Sequence, residues 1–362
     1  MAPAFIFGII LHWIGGLAAA SFYIPYKQIR RWSWETYWLT GGVFSWLLMP
    51  SLMASILVPG TFEILHTAKP SVLFYTYFFG AMWGIGGLTF GLTMRYLGIA
   101  LGMAVALGYT AIFGTLIPPL FHGTLGQTLG SASGKYVLLG VLVSVAGIAV
   151  SGMAGMSKER ELTGEQKQSS ITEFQFGKGM LIATFSGIMS SCLAFGLDAG
   201  TPIADAAKAS LLAHGGSDIW QGLPVLIVAL LGGFTTNFLW CVGLNVRNKS
   251  AGEYTAQAAS DGSAVPLIRN YAFAALAGII WYLQFFFHTM GQAKMGKTFA
   301  FTNWTLHMAS IMIFSMLWGV YLKEWAGTSK RTHTLIGLGL ALLIGSTIII
   351  GYGSYLDGIA AH

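Results

Sequence analysis

Charge is what this sequence has least of: only 9% of its 362 residues are Asp, Glu, Lys or Arg. A soluble domain carries about 25%, so this chain cannot cover a water-exposed surface. Cysteine is almost as scarce. Cys192 and Cys241 lie in apolar segments and match no metal-ligand or redox spacing, which excludes a disulfide scaffold. Catalytic motifs are missing too. The sequence holds no P-loop, no His-Glu-x-x-His, no Gly-x-Ser-x-Gly and no polar stretch long enough for a soluble domain. That excludes ATP-driven pumping by this chain alone and argues against an enzyme. No cofactor is implied.

What is present is apolar length. Hydrophobic residues make up 55% of the chain and the mean hydropathy is +0.67. A spanning helix needs about 20 mostly apolar residues. Ten segments meet that length, near 4–26, 36–58, 71–94, 98–120, 136–155, 178–200, 220–244, 269–291, 299–322 and 333–356. The first lacks the basic flank of a signal peptide, so it is expected to be retained as a helix. Most of the 48 glycines fall inside these runs, where they favour close helix contacts. The expected fold is an all-α membrane protein with ten transmembrane helices.

The +6 net charge reflects orientation in the bilayer rather than nucleic-acid binding. Fourteen Lys and Arg residues sit in the odd-numbered loops and five in the even ones. The positive-inside rule then puts the odd loops in the cytoplasm and both termini in the periplasm. The largest polar interruption, SKERELTGEQKQSSITEF at 157–174, separates two sets of five segments. The chain accordingly divides into a first five-helix repeat (1–156), a cytoplasmic linker (157–176) and a second repeat (177–362).

The two halves echo each other. In GAMWGIGGLTFGLTMRYLG (80–98) and GIIWYLQFFFHTMGQAKMG (278–296), Gly80, Trp83 and Gly98 match Gly278, Trp281 and Gly296 at a constant offset. YVLLGVLVSVAG (136–147) and HTLIGLGLALLIG (333–345) match at nearly the same one. Five helices per half is an odd number, so the second half must enter the bilayer upside down. Inverted repeats of this kind build many secondary transporters.

Polar side chains in hydrocarbon are costly and mark function. Helical spacing places His12, Gly16, Ala19, Tyr23 and Tyr26 on one stripe of the first segment. Trp281, Gln284, His288 and Gln292 share a stripe on the eighth, beside Tyr282 and Phe285. Asn303, His307 and Ser310 share one on the ninth, and Ser191, Ala194 and Asp198 on the sixth. Indole and phenol faces beside amide and imidazole groups suit a sugar, whose C–H faces stack while its hydroxyls hydrogen-bond. The structural alternative for each residue is that His and Gln bridge helices and Trp anchors at interfaces. Candidate sugar contacts are His12, Tyr23, Trp83, Trp281, Tyr282, Gln284, His288, Asn303 and His307. Candidate proton-coupling groups are Glu35, Asp198, His12 and His307. Glu35 is also open to a simpler role as a first-turn acid behind the capping residue Ser33.

WSWETYW (32–38), FGAMWGIGGLTFGLTMRYLG (79–98), WYLQFFFHTMGQAKMG (281–296), WTLHMAS (304–310) and LKEW (322–325) resemble the L-rhamnose–proton symporter family of the drug/metabolite transporter superfamily. The resemblance runs in order along nearly the whole chain. It implies ten helices in two inverted repeats and proton-driven uptake of L-rhamnose, or a closely related deoxy sugar, across a bacterial inner membrane. His12, Trp34, Glu35, Trp83, Arg95, Trp281, Tyr282, Gln284, His307 and Glu324 fall in its motifs. An exporter or facilitator of another small polar solute is the alternative. The oligomeric state is left open.

Overall fold

The computed structural model describes residues 2–97, 99–161, 175–258, 263–295, 302–323 and 325–360. Apart from an isolated bridge between Ala258 and Ala264, regular structure among these residues is helical. The long helices are α1 (Ala2–Ser21), α2 (Trp34–Leu57), α3 (Pro70–Leu97), α4 (Ile99–Phe121), α5 (Ala132–Glu161), α6 (Phe176–Ala199), α7 (Leu223–Asn248), α8 (Leu267–Met295), α9 (Thr302–Tyr321) and α10 (Lys330–Ala360). Twenty residues of helix span about 30 Å, the thickness of a bilayer core. Nine helices among the described residues are long and apolar enough to cross a membrane, while α4 offers only a shorter apolar stretch, Val105–Phe121. The chain is thus an all-α, multi-pass membrane protein. Gly98, Gly296, Glu324 and the linker residues 162–174 lie outside the described residues, and the start of the expected linker, Ser157–Glu161, continues α5.

Two helices depart from regular geometry, each at a proline. Pro25 has no N–H and its ring crowds the carbonyl four residues back. Accordingly α1 ends at Ser21, and a short helix, Tyr23–Tyr26, follows after Phe22. In α2 the segment Val43–Leu48 is π-helical, with the Met49 N–H bonded to the Phe44 carbonyl five residues back. Pro50 follows at once and cannot supply the next α-helical bond.

The helices pack in pairs: α1 with α8 and α9, α6 with α3 and α4, α2 with α8, α7 with α3, α4 with α5, α9 with α10, and α5 with α10. Glycine sets how close they come. A Cβ on Gly80 would collide with the Ala229 carbonyl of α7, and one on Gly278 with the Gly41 carbonyl of α2. Such contacts replace side-chain packing with backbone apposition.

At one end, α5 is clasped to the start of α10. The Glu161 carboxylate accepts the Ser329 N–H and hydroxyl, both at 2.6 Å, and the Thr332 hydroxyl at 2.7 Å. The Ser329 hydroxyl, its N–H and the Thr332 hydroxyl together hold the Glu161 pKa down at about 2. Ser329 directly precedes α10, so the anion also faces that helix's positive end.

Two predictions follow from this packing and this clasp. Gly80→Ala should destabilise the protein by about 1–3 kcal/mol through overpacking. Gly87→Ala, whose Cβ meets open space, should stay within about 1 kcal/mol of wild type; thermal unfolding in detergent compares them. Glu161→Gln should lower the melting temperature at pH 7. A carboxylate held below its ordinary pKa of about 4.3 adds stability above that value and loses it as pH falls through the folded pKa. The gap between wild type and variant should therefore close between about pH 4 and pH 2.

Candidate functional site

Three imidazoles meet inside the bundle. His12 of α1, His288 of α8 and His307 of α9 are each at most 3% exposed. Their ring centroids lie 5.0 Å (His12–His288), 4.8 Å (His288–His307) and 6.3 Å (His12–His307) apart. His12 Nε2 is 3.0 Å from Asn303 Oδ1. A carbonyl oxygen only accepts, so Nε2 carries the proton and Nδ1 the lone pair in the neutral ring. Gly16 leaves room for Ser310, whose hydroxyl lies 3.0 Å from the His12 carbonyl and 2.7 Å from that of His307. Trp304 closes one side: its Nε1 donates to the Thr110 carbonyl at 3.0 Å, and its ring meets His288 edge-on at 5.8 Å. A cavity of about 50 Å³ lies beside the cluster, lined by His288, Gln292, Asn303, Trp304 and Asp198 among others. By that measure one water needs about 10–15 Å³, so the cavity admits water but has no room for a sugar.

Some seven residues along α8 from His288, about 10 Å, a second feature begins. Six aromatic rings form a closed circuit: Phe22 to Trp281 at 4.1 Å, Trp281 to Phe285 at 6.0 Å, Phe285 to Trp83 at 5.4 Å, Trp83 to Trp46 at 6.3 Å, Trp46 to Trp38 at 6.0 Å, and Trp38 back to Phe22 at 6.3 Å. The π-helical turn of α2 supplies Ser45 and Trp46. Trp38 is anchored through Nε1 to Asn237 Oδ1 of α7 at 3.0 Å. A void of only about 10 Å³ remains among Phe22, Tyr26, Trp38, Ser45, Trp46 and Trp281.

Several buried polar atoms without a protein partner lie along this axis. They include Ser45 Oγ, Trp46 Nε1, Trp281 Nε1, Gln284 Nε2 and the Nδ1 atoms of His12, His288 and His307. An unpaired buried polar group costs about 1–3 kcal/mol, so a cluster of them is expensive unless a ligand or a second conformation pairs them.

The stripes drawn from the sequence hold for His12, Gln284, His288, Asn303 and His307, all buried at this centre. Trp83 and Trp281 join the aromatic circuit, though they do not touch a common void. Tyr23 departs from its stripe: it is 47% exposed and leans on Phe22, 4.4 Å away. The break at Phe22, caused by Pro25, turns it away from the face of His12. Tyr282 is fully buried but lies on the neighbouring face of α8, its ring 6.0 Å from Phe286. Sequence reasoning missed Ser45 and Trp46, for which Pro50 inside an apolar run was the available signal, and Asn237, which had none.

Of the two candidate acids, Glu35 sits apart from the three imidazoles, while Asp198 lines the small cavity beside His288. Glu35, in the first turn of α2, is the one buried carboxylate among the described residues. Its Oε1 accepts from Asn248 Nδ2 at 2.9 Å and lies 2.7 Å from Ser250 Oγ. Ser33 does not cap the helix with its side chain; its hydroxyl and N–H go instead to Glu253 Oε2, at 2.8 and 2.7 Å. Asp198, at the far end of α6, is 40% exposed and pairs with His122 Nε2 at 2.8 Å. Near α8's end, Asp218 bonds Lys294 at 3.0 Å and lies 3.7 Å from Lys208.

The unequal satisfaction of the indoles is testable. Trp304→Phe removes a made hydrogen bond and should cost about 0.5–1.5 kcal/mol. Trp46→Phe removes an N–H that has no protein partner and should cost less. Thermal unfolding of ligand-free protein reads both, and a larger loss for Trp46→Phe would contradict the assignment.

Residues 1–355 match the family model described as L-rhamnose-proton symport protein (RhaT). A protein of Yersinia pestis (strain Pestoides F) named L-rhamnose-proton symporter is 37% identical over 353 residues, covering 98% of this chain and 99% of that protein. One of the same name from Cronobacter sakazakii (strain ATCC BAA-894) is 36% identical over equal coverage. A bundle of apolar helices with a buried polar centre, matched across nearly its whole length, belongs to the L-rhamnose-proton symport family.

Proposed function

We propose that this chain imports L-rhamnose, or a closely related deoxy sugar, in symport with protons across the bacterial inner membrane. The observation that carries the reading is the union of an aromatic circuit with a set of unpartnered buried donors and acceptors. A deoxy sugar offers what both lack: C–H and methyl faces for Trp281, Trp83 and Trp46, and hydroxyls for Gln284, His12, His288, Asn303 and His307.

The architecture supports alternating access by two inverted repeats. Exchanging α1–α5 with α6–α10 turns the α1–α8 pair into α6–α3, α1–α9 into α6–α4, α2–α8 into α7–α3 and α4–α5 into α9–α10, while α5–α10 maps onto itself. In this reading α4 completes a tenth crossing, the termini are periplasmic and the 157–176 linker is cytoplasmic. The Asp198–His122 and Asp218–Lys294 ties then close the periplasmic side.

Glu35 is the coupling group in this reading, ahead of Asp198, which forms part of the outer closure. Its neighbours accept either protonation state. Ser250 Oγ sits between Glu35 Oε1 and Asn245 Oδ1, 2.8 Å from the latter, and a hydroxyl has one proton to give. When Glu35 is ionised, Ser250 donates to it. When Glu35 is protonated, it donates to Ser250, which turns to Asn245. One helical turn along α2, Trp38 enters the aromatic circuit, so a change at Glu35 reaches the sugar through a single helix.

Cells expressing the chain should accumulate labelled L-rhamnose above the external concentration, and a protonophore should abolish the accumulation. No uptake above a vector control would overturn the reading; downhill equilibration alone would make the chain a facilitator. Gln284→Ala should weaken sugar binding about 5- to 10-fold, the worth of one hydrogen bond. Glu35→Gln should lose gradient-driven accumulation yet keep rhamnose exchange, and Asp198→Asn should keep both. A Glu35→Gln variant that still concentrates sugar would move coupling to a histidine.

A further inference from the structure

We propose that His12, His288 and His307 also form a binding site for a divalent transition-metal ion of the zinc class. One ring nitrogen from each residue lies within 4.8 Å of the other two, and all three residues are buried. Zinc–imidazole bonds are about 2.0–2.1 Å, so three ligands on a tetrahedral ion stand about 3.3 Å apart. The rings need to draw together by roughly 1.5 Å at most to reach that spacing, a side-chain rotation rather than a helix movement.

The donor chemistry fits such an ion. Neutral imidazole is the ligand shared by zinc, copper and nickel, and no thiolate or carboxylate belongs to the cluster. The Nδ1 atoms of all three rings are buried and have no protein partner. For His12 the support extends outward, because its Nε2–H is held by Asn303 Oδ1. Metal-binding histidines commonly donate their second N–H to an oxygen in this way, which fixes the tautomer and turns the lone pair toward the ion.

A route and a fourth position are present. The cavity that His288 lines also carries Asp198, Gln292 and Asn303, and Asp198 is 40% exposed at its mouth. Asp198 is tied to His122 at 2.8 Å, so entry requires that tie to open, and the cavity has room for the water or hydroxide that completes a three-histidine site. Because the ligands come from α1, α8 and α9, a bound ion staples three helices together.

The test uses full-length protein, purified in detergent without a histidine tag and without sugar, so it stands or falls separately from the rhamnose reading. Zn²⁺ titrated by calorimetry should bind one ion per chain and raise the melting temperature. His288→Phe and His307→Gln should each weaken binding at least tenfold, whereas His66→Gln and His214→Gln, on exposed histidines, should not. Co²⁺ as a spectroscopic probe should give the intense visible bands of a tetrahedral site in the wild-type protein. Absence of saturable binding, binding unchanged in both cluster variants, or only the weak bands of six-coordinate Co²⁺ would each overturn the proposal. The Co²⁺ spectrum needs no variant, so it decides even where a substitution prevents folding.

Discussion

The polar centre of this bundle depends on how closely α8 approaches α1 and α2, and α1 approaches α9. Three places set those distances, and at each a glycine stands where any side chain would collide: Gly278 against the Gly41 carbonyl, Gly291 against the His12 ring, and Gly16 against Ser310. Rings that meet at 4–6 Å, as His12 and His288 or Phe22 and Trp281 do, lose contact if the backbones separate by a methyl group's width. Lipid supplies no hydrophobic drive between apolar helices, so backbone proximity has to come from packing and hydrogen bonds. The glycines are therefore the condition for the site rather than a filler around it.

The price of burying polar atoms is distributed unevenly, and that unevenness is informative. At one end Glu35, Glu253, Ser33, Thr36, Asn245 and Ser250 form a connected network. At the other, Asp198 and Asp218 each find a cation or imidazole. Between them, indole, amide and imidazole nitrogens lie buried without partners. A structure shaped only for stability would show the reverse, since exposed ends can be completed by water and the middle cannot. Trp32 Nε1 and Trp325 Nε1 are unpaired as well, but the middle set lies together, as the proposed site requires when its ligand supplies the missing bonds.

Much of this was legible in the sequence, and the exceptions have local causes. Low charge and ten long apolar runs announce the membrane bundle, and helical spacing alone puts His12, Gln284, His288, Asn303 and His307 on buried stripes. Periodicity failed where the helix did. Extending the stripe of α1 from His12 to Tyr23 assumed an unbroken helix, and Pro25 interrupts it at Phe22. Ser45 and Trp46 escaped notice because they stand in an apolar run with no polar residue three or four positions away to mark a stripe. Asn237 and the circuit of six rings are products of tertiary packing, in which Phe22 and residues from α2, α3, α7 and α8 meet across large sequence separations. No spacing rule within one helix reports such a meeting.

Under the proposed inverted repeat, Trp83 and Trp281 are counterparts. Both stand third in their half, at matching positions, and both meet the same ring, Phe285, at 87°. Yet Phe285 belongs to the second half alone; the first has Gly87 at the matching position, where a Cβ would meet open space. The second copy also carries Gln284 and His288, and α9 adds Asn303 and His307, whereas the first half contributes His12 and the aromatic wall of α2. Symmetric packing thus frames an asymmetric lining. Under the proposed function this is what alternating access needs: matched halves give two conformations of similar energy, and unmatched side chains let sugar and proton bind them unequally. A ligand shifts such an equilibrium only through that inequality.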